Sequence, residues 1–268
     1  MQVDEPSLLE VASEAARGAG KLLIEHRSLE LSGVATKTSD TDMVSDADRA
    51  AEEFIVDQLT AAFPADAILG EEGASREGMS GRRWVIDPLD GTTNYMYGLD
   101  AFCVSIGLED TRGPLAGCVY DPIHDELFTA LRHEGAWLGD LKLAVGPTSA
   151  LSQALIGTGF SYRADQREWQ AKVMAELLPR VRDIRRTGSA ALDLCWVAAG
   201  RLDGHVERGL AHWDHAAALL IAEEAGASVR RPPEVDPWAL VMAAAPGVSA
   251  ELFALVDDAE RRAGPQPS

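Results

Sequence analysis

Hydrophobic positions along the chain follow two periods, and the switches between them divide it into elements. Leu8, Val11, Ala15, Ala19, Leu22 and Leu23 recur at helical spacing after Pro6-Ser7, a helix start signal. Polar residues over 32–41 read as a loop. Ser45-Asp46 then caps a second helix with apolar positions at Ala50, Phe54, Ile55, Leu59 and Ala62, ending before Pro64. A short strand over 67–70 stops at Glu71-Glu72, and a Gly/Ser/Arg loop leads into an apolar run at 84–86 that reads as a buried strand.

From residue 101 to 138 the period becomes two. Runs at 102–108, 114–120 and 126–131 are separated by Gly113-Pro114 and Asp121-Pro122, which predicts an antiparallel meander. Beyond residue 144 strands at 155–157, 203–207 and 240–244 alternate with helices at 167–178, 189–199, 213–225 and 249–261. The class is α/β, with an N-terminal α+β half over 1–144, a C-terminal α/β half over 145–262, and a disordered tail over 263–268. No repeat or low-complexity linker separates the halves, so they are expected to share one interface.

A hydrophobic content of 46% in 268 residues is enough for one large domain or two packed halves. Against 24 Lys+Arg stand 43 Asp+Glu, a net charge of −19 that argues against direct nucleic-acid binding and against docking on an anionic membrane. Residues 1–6 have neither the basic nor the apolar region of a secretion signal, and no apolar stretch approaches the roughly 20 residues of a spanning helix. Cys103, Cys118 and Cys195 are odd in number and set among apolar neighbours. They read as core residues of a cytoplasmic protein, without disulfides or a CxxC metal site.

The chemistry concentrates where the run ending at Ile86 meets Asp87-Pro88-Leu89-Asp90-Gly91-Thr92-Thr93-Asn94. Two carboxylates at a strand end invite a hard cation, and Gly-Thr-Thr can open a helix whose free N–H groups face an anion. An Asp-x-x-Asp-Gly is equally often a turn or a helix cap. Two further acidic sites change the balance: Glu71-Glu72 after a strand and Asp214 at a helix start. Three acidic sites after apolar segments suit Mg²⁺, which takes carboxylate, carbonyl and water oxygens. Two such ions roughly 3.5–4 Å apart can clamp a phosphoryl group. GxxxxGK[ST], HExxH, GxSxG and a GxGxxG opening a βαβ unit are all missing, and residues 40–48 lack the glycine of a calcium loop.

Five segments in order closely resemble the motifs of the inositol monophosphatase family, most of all its bacterial branch. They are Lys37-x₄-Asp42-x₅-Asp48, Gly70-Glu71-Glu72, the WxxDPxDGTxN of residues 84–94, Gly188-Ser189-Ala190-Ala191-Leu192-Asp193-Leu194, and Trp213-Asp214 with Glu224-Ala225-Gly226. The resemblance implies an αβαβα five-layered sandwich, commonly homodimeric, and a Mg²⁺-dependent, lithium-sensitive phosphatase acting on myo-inositol 1-phosphate or a related sugar phosphate. It implies Mg²⁺ ligands at Glu71, Asp87, Asp90, the Leu89 carbonyl and Asp214. Pro88 fixes the backbone and is expected to turn that carbonyl toward the pocket. Glu71 would hold the attacking water, oriented by Thr92 in a hydrogen bond to Asp48. Phosphate would rest on the Gly91 and Thr92 amides.

Substrate hydroxyls would meet Asp90, the backbone of Gly188, Ser189 and Ala190, Glu207 and Asp214, although Glu207 reads equally as an exposed strand-end charge. Lys37 either neutralises phosphate, restrains a metal-site loop or is an ordinary solvated lysine. Glu72 is expected behind the ligands, since neighbouring strand residues face opposite ways. The chain departs from the family pattern at His205-Val206, where aromatics are usual, at His215, and in the short 72–84 segment. His212 and His215 read as pocket walls or helix-start residues, and Trp137, Trp196 and Trp213 as packing. Fructose 1,6-bisphosphate, histidinol phosphate or a phosphoadenosine nucleotide would suit the same chemistry. A regulatory or binding protein with a residual site is the alternative of another class.

Overall fold

A computed structural model describes residues 7–31, 40–232, 238 and 240–266. Helices α1 (Leu8–Leu31) and α2 (Asp40–Ala62) pack together over one face of an eight-stranded sheet. That sheet contains β1 (Ala67–Gly70), β2 (Ser75–Arg76), β3 (Arg83–Asp90), β4 (Cys103–Asp110), β5 (Gly113–Asp121), β6 (Glu126–Leu131), β7 (Gly135–Leu138) and β8 (Leu141–Lys142), in the order β2-β1-β3-β4-β5-β6-β7-β8. The short α3 (Thr92–Met96) joins β3 to β4. Among the described residues of this sheet only β1 and β3 pair in parallel; from β3 onward it is the antiparallel meander expected.

The second sheet has the order β10-β9-β11-β13-β12. In chain order its region runs β9 (Leu155–Thr158), α4 (Ala164–Leu177), β10 (Asp183–Arg185), α5 (Ala190–Ala198), β11 (Gly204–Arg208), α6 (His212–Glu224), β12 (Ser228–Arg230), β13 (Leu240–Ala244) and α7 (Pro246–Ala263). Strands β10, β9 and β11 are parallel, and β13 and β12 run antiparallel to their neighbours. Helices α5 and α6 lie between the two sheets, and α4 and α7 cover the far face of the second. The result is the five-layered αβαβα sandwich.

Period-two alternation explains how one sheet serves two layers. Val104, Ile106 and Leu108 of β4 enter the core beneath α1 and α2 with Leu23, Ile55 and Trp84. The opposite face of β4 carries small residues, and Gly107 sits beside Gly117 of β5. Helix α6 beds into this glycine pair. A Cβ at Gly117 would fall 2.6 Å from the Ala217 carbonyl oxygen, and one at Gly107 3.2 Å from the Ala217 nitrogen.

Several boundaries differ from the periodicity. Helix α2 begins at Asp40, ahead of the expected Ser45 cap, and α4 begins at Ala164. Helix α7 begins at Pro246, whose missing N–H costs nothing in a first turn. It ends at Ala263, and Trp169 Nε1 donates to the Gly264 carbonyl at 3.0 Å. The short strands β2, β7, β8, β10 and β12 carry no periodic signal of their own. No helix among the described residues is long and apolar enough to cross a membrane.

Candidate active site

The site begins with an irregularity in β3. On a regular strand residues three apart face opposite sides, so Asp87 and Asp90 would diverge. Here Asp87 pairs with Ser105 and Asp90 with Cys103, so β3 spends one residue more than β4 between these pairs. Pro88 has no N–H to hold a ladder bond, and a bulge forms around it. The extra residue brings both carboxylates to one cavity. Asp87 Oδ1 accepts the Leu89 N–H at 3.0 Å, and the Leu89 side chain is sealed in the core. The chain then turns through Gly91 at φ 100°, where a Cβ would sit 2.8 Å from the Ala101 oxygen. Only glycine fits there.

Other elements converge on the same place. Because β1 runs parallel to β3, Glu71 emerges beside Asp87, and its N–H donates to the Ile86 carbonyl at 3.1 Å. Asp214 opens α6, and its Oδ2 accepts the Ala211 N–H at 2.7 Å. Asp90 Oδ2 accepts from Ser189 Oγ at 2.6 Å and from the Ala191 N–H at 2.7 Å, so the first turn of α5 is tied to the end of β3. The cavity they enclose, about 390 Å³, is lined by Glu71, Asp87, Leu89, Asp90, Gly91, Thr92, Gly188, Ser189, Ala190, Glu207 and Asp214. Glu207 is therefore a cavity wall rather than an outward strand-end charge.

Burial and crowding make these carboxyls hold their protons more tightly than usual. Burial, then Glu71, Asp90 and Asp214, push Asp87 well above the usual carboxylate range. Asp90 rises to about 7 by burial, although the Ser189 and Ala191 donors pull it back. Asp214 is raised by burial and then by Asp90 and Glu71. Glu71 is also raised, first by the surrounding protein, but it keeps exposed surface at the cavity mouth, so its charge is the easiest of the four to solvate.

A model of the inositol monophosphatase family matches residues 4–257. The chain belongs to that family. Membership makes it an enzyme of the phosphoric monoester hydrolase type. It is 40% identical to "Inositol-1-monophosphatase SuhB" of Mycobacterium tuberculosis over 94% of each chain. It is 45% identical to "Nus factor SuhB" of Xylella fastidiosa over 81% of this chain and 78% of that protein. The solved structure of Mycobacterium tuberculosis SuhB superposes with a TM-score of 0.83 at 40% identity, covering 96% of this chain and 98% of that one.

The donor set of this inositol monophosphatase family member fits a hard divalent cation. Four carboxylates and the Leu89 carbonyl offer oxygen alone, and their mutual repulsion is what an added positive charge would relieve. Among the described residues no three acidic, His or Cys side chains close to ligating distance. Unneutralised carboxylates repel, so convergence on one cavity is the better guide to what they hold. A buried orphan stands nearby: among the described residues Asp48 Oδ1 has no hydrogen-bond partner, and burial followed by Glu72, Glu71 and Glu52 pushes that carboxyl up to about 8.

Some expectations need correction. The Thr92–Asp48 hydrogen bond is not made, because the single Thr92 hydroxyl proton goes to the Leu89 carbonyl at 3.0 Å. His212 and His215 start α6 but do not line the cavity. His212 Nε2 lies 2.9 Å from Glu109 Oε1 and stacks edge-on against His215, whose burial keeps its ring neutral with a pKa of about 3. Glu72 lies in a separate cleft with Arg49 and Asp57. Lys37 is outside the described residues. The cysteines are free and buried as expected, but Cys103 Sγ lies 3.9 Å from Asp90 Oδ2, at the edge of the site.

Two groups escaped sequence reasoning. Glu52 accepts the N–H of Glu72 at 2.9 Å and of Ala74 at 2.8 Å, clamping the turn that presents Glu71. Its signal was an acid one helical turn after Asp48 on the buried face of α2. Tyr162, Arg163 and Arg186 also line the cavity. Tyr162 and Arg163 follow the carboxyl end of β9, and Arg186 that of β10, the side of a parallel sheet where ligands bind.

Proposed function

We propose that this chain is a Mg²⁺-dependent phosphomonoesterase acting on myo-inositol 1-phosphate or a related sugar phosphate. We further propose that it works as a cytoplasmic homodimer. The observation carrying the reading is the convergence of Glu71, Asp87, Asp90 and Asp214, from three separate elements, on one cavity that also holds Gly91, Thr92 and Glu207. Glu71, Asp87, Asp90, the Leu89 carbonyl and Asp214 would hold the cation, which when bound polarises the ester and makes water more acidic.

The remaining steps belong to the chain's own groups. Glu71, the most exposed carboxylate, is assigned as acceptor of the attacking water's proton. The Thr92 hydroxyl has its proton fixed on Leu89 and its lone pairs open, so it can orient that water. Asp48, whose carboxyl is held protonated by burial and makes no hydrogen bond to Thr92, is given no proton-accepting step. Gly91 and Thr92 bound the phosphate end of the cavity, and Gly188, Ser189, Ala190, Glu207, Asp90 and Asp214 offer acceptors and amides to a polyol.

The test is phosphate release from a panel of phosphomonoesters with Mg²⁺, with EDTA and with millimolar Li⁺. Release that needs Mg²⁺ and is blocked by the other two supports the reading; no cleavage of any ester in Mg²⁺ sinks it. Arg186, at the cavity without a carboxylate partner among the described residues, favours a second reading with a substrate that carries a second phosphate, such as fructose 1,6-bisphosphate or a phosphoadenosine nucleotide. The same panel, with histidinol phosphate included, ranks these by kcat/KM. The Xylella relative's being a Nus factor by name supports a binding or regulatory role. Mg²⁺ binding without turnover of any ester would favour it.

A further inference from the structure

Behind the Glu207 wall lies a histidine to which the reaction assigns no task. His205 and Glu207 are two apart on β11 and share a face. His205 is wholly buried. Its Nε2 is 3.3 Å from Glu207 Oε2 and its Nδ1 is 3.5 Å from Asp193 Oδ2. Asp193, equally buried on α5, is held in turn by Thr187, whose Oγ1 donates to Asp193 Oδ1 at 2.7 Å from the loop that forms the cavity wall. The strands beside β11 bring no charge to the ring, since the registers oppose His205 with Gly157 of β9 and Ala243 of β13.

Room for this arrangement is built into β9 and the residue after it. A Cβ at Gly157 would fall 3.0 Å from His205 Nδ1 and 3.1 Å from Asp193 Oδ2, and one at Gly159 1.9 Å from Glu207 Oε1. An imidazole between a buried and a half-buried carboxylate has one protonation state that suits both. A neutral ring turns a lone pair on one of the acids, whereas the imidazolium presents an N–H to each. Neither nitrogen reaches strict hydrogen-bond geometry, so the contact is an ion pair with slack. Burial works against the charge, but Asp193 and Glu207 outweigh it and hold the ring at about 9.

We propose that His205 is a positioning residue, an imidazolium bridging Asp193 and Glu207 that fixes the Glu207 carboxylate as acceptor for the hydroxyls of a polyol phosphate and couples it to the loop carrying Thr187. The task given to Glu207 rests on the phosphatase reading; the bridge itself does not. The experiment compares wild type, His205→Phe and the milder His205→Gln on myo-inositol 1-phosphate and on p-nitrophenyl phosphate, whose leaving group carries no hydroxyl beyond the one released.

For His205→Phe the expected result is a KM for the polyol ester raised about tenfold or more, kcat within about twofold, and the aryl-ester KM unchanged. His205→Gln, which keeps one donor, should fall between and covers the case in which the Phe variant fails to fold. Wild-type polyol KM should also rise as pH passes about 9, a limb absent in His205→Phe. Equal losses on both esters, or an unchanged polyol KM, overturn the assignment. In parallel, ¹⁵N NMR of the cation-free protein at pH 7 should show both His205 ring nitrogens protonated, with one proton lost in Glu207→Gln; a neutral ring in wild type overturns the bridge. Wild type that cleaves neither ester defeats the phosphatase reading instead, and the NMR result still decides the bridge.

Discussion

Asp90→Asn separates the electrostatic cost of the site from its function. The substitution is nearly isosteric, and the amide oxygen can keep the Ser189 and Ala191 donors while one negative charge leaves the cluster. Asp90 stands at about 7 against an ordinary 3.8. The folded state thus holds a proton that the unfolded chain releases, and stability falls as pH rises from about 4 to 7 in the absence of a cation. The full displacement corresponds to roughly 4 kcal/mol, and sharing with Asp87, Glu71 and Asp214 reduces it to about 2 kcal/mol for this one group. At pH 8 in EDTA the variant should therefore melt about 4–8 °C above wild type. Adding Mg²⁺ should raise the wild-type Tm and leave the variant nearly unmoved, because binding stabilises only a folded state that retains its ligands. Differential scanning fluorimetry over a Mg²⁺ series at pH 5 and pH 8 reads both effects. A variant that melts below wild type in EDTA at pH 8, or that responds to Mg²⁺ equally, would refute the reasoning.

Three other outcomes follow from single contacts. Gly91→Ala places a Cβ 2.8 Å from the Ala101 oxygen at φ 100°, and urea unfolding should show a loss of about 1–3 kcal/mol together with weakened turnover. Glu52→Ala removes the acceptor of two backbone N–H groups, costing about 3 kcal/mol, and calorimetry should find weaker Mg²⁺ binding although no ligand has changed. Burial opposes the Glu109 charge, but His212 and Arg83 hold that carboxyl down at about 2 against an ordinary 4.5. Its stabilising contribution is present above about 4.5 and lost as pH falls toward 2, so Glu109→Gln should cost up to roughly 3 kcal/mol at pH 7 and almost nothing near pH 2, checked by denaturation at both.

The long elements were legible because each buries a stripe or an alternating face, and that burial leaves a period in the residues. Helix α6 and strands β4 to β6 are of this kind. Short edge strands such as β10 and β12 exist because a neighbour offers a ladder, and nothing local announces them. The site divides similarly. Asp87, Asp90 and Asp214 stood out by residue type and by following apolar segments, yet spacing alone places the first two on opposite faces; the bulge at Pro88 had to supply the missing step. Glu52 was hidden because an acid on a helix usually meets water, and its task depends on a turn twenty residues away. Tyr162, Arg163 and Arg186 come from the second half of the chain and reach the cavity only through tertiary packing. His205 was visible as a departure from the family pattern, but its two acidic partners required the fold.

The glycine pair under α6 limits how this site can change. Helices that pack through bulky side chains can slide by an ångström as those side chains change rotamer. Helix α6 meets Gly107 and Gly117 backbone to backbone, with no such cushion. Asp214, one turn from that contact, therefore keeps its address to a fraction of an ångström while loops and cavity walls drift around it. New substrate preferences can arise cheaply on β11 or in the 159–163 and 186–190 segments. A methyl group at Gly117, far from any substrate, would instead lift the helix like a shim and carry Asp214 out of register with Asp87 and Asp90.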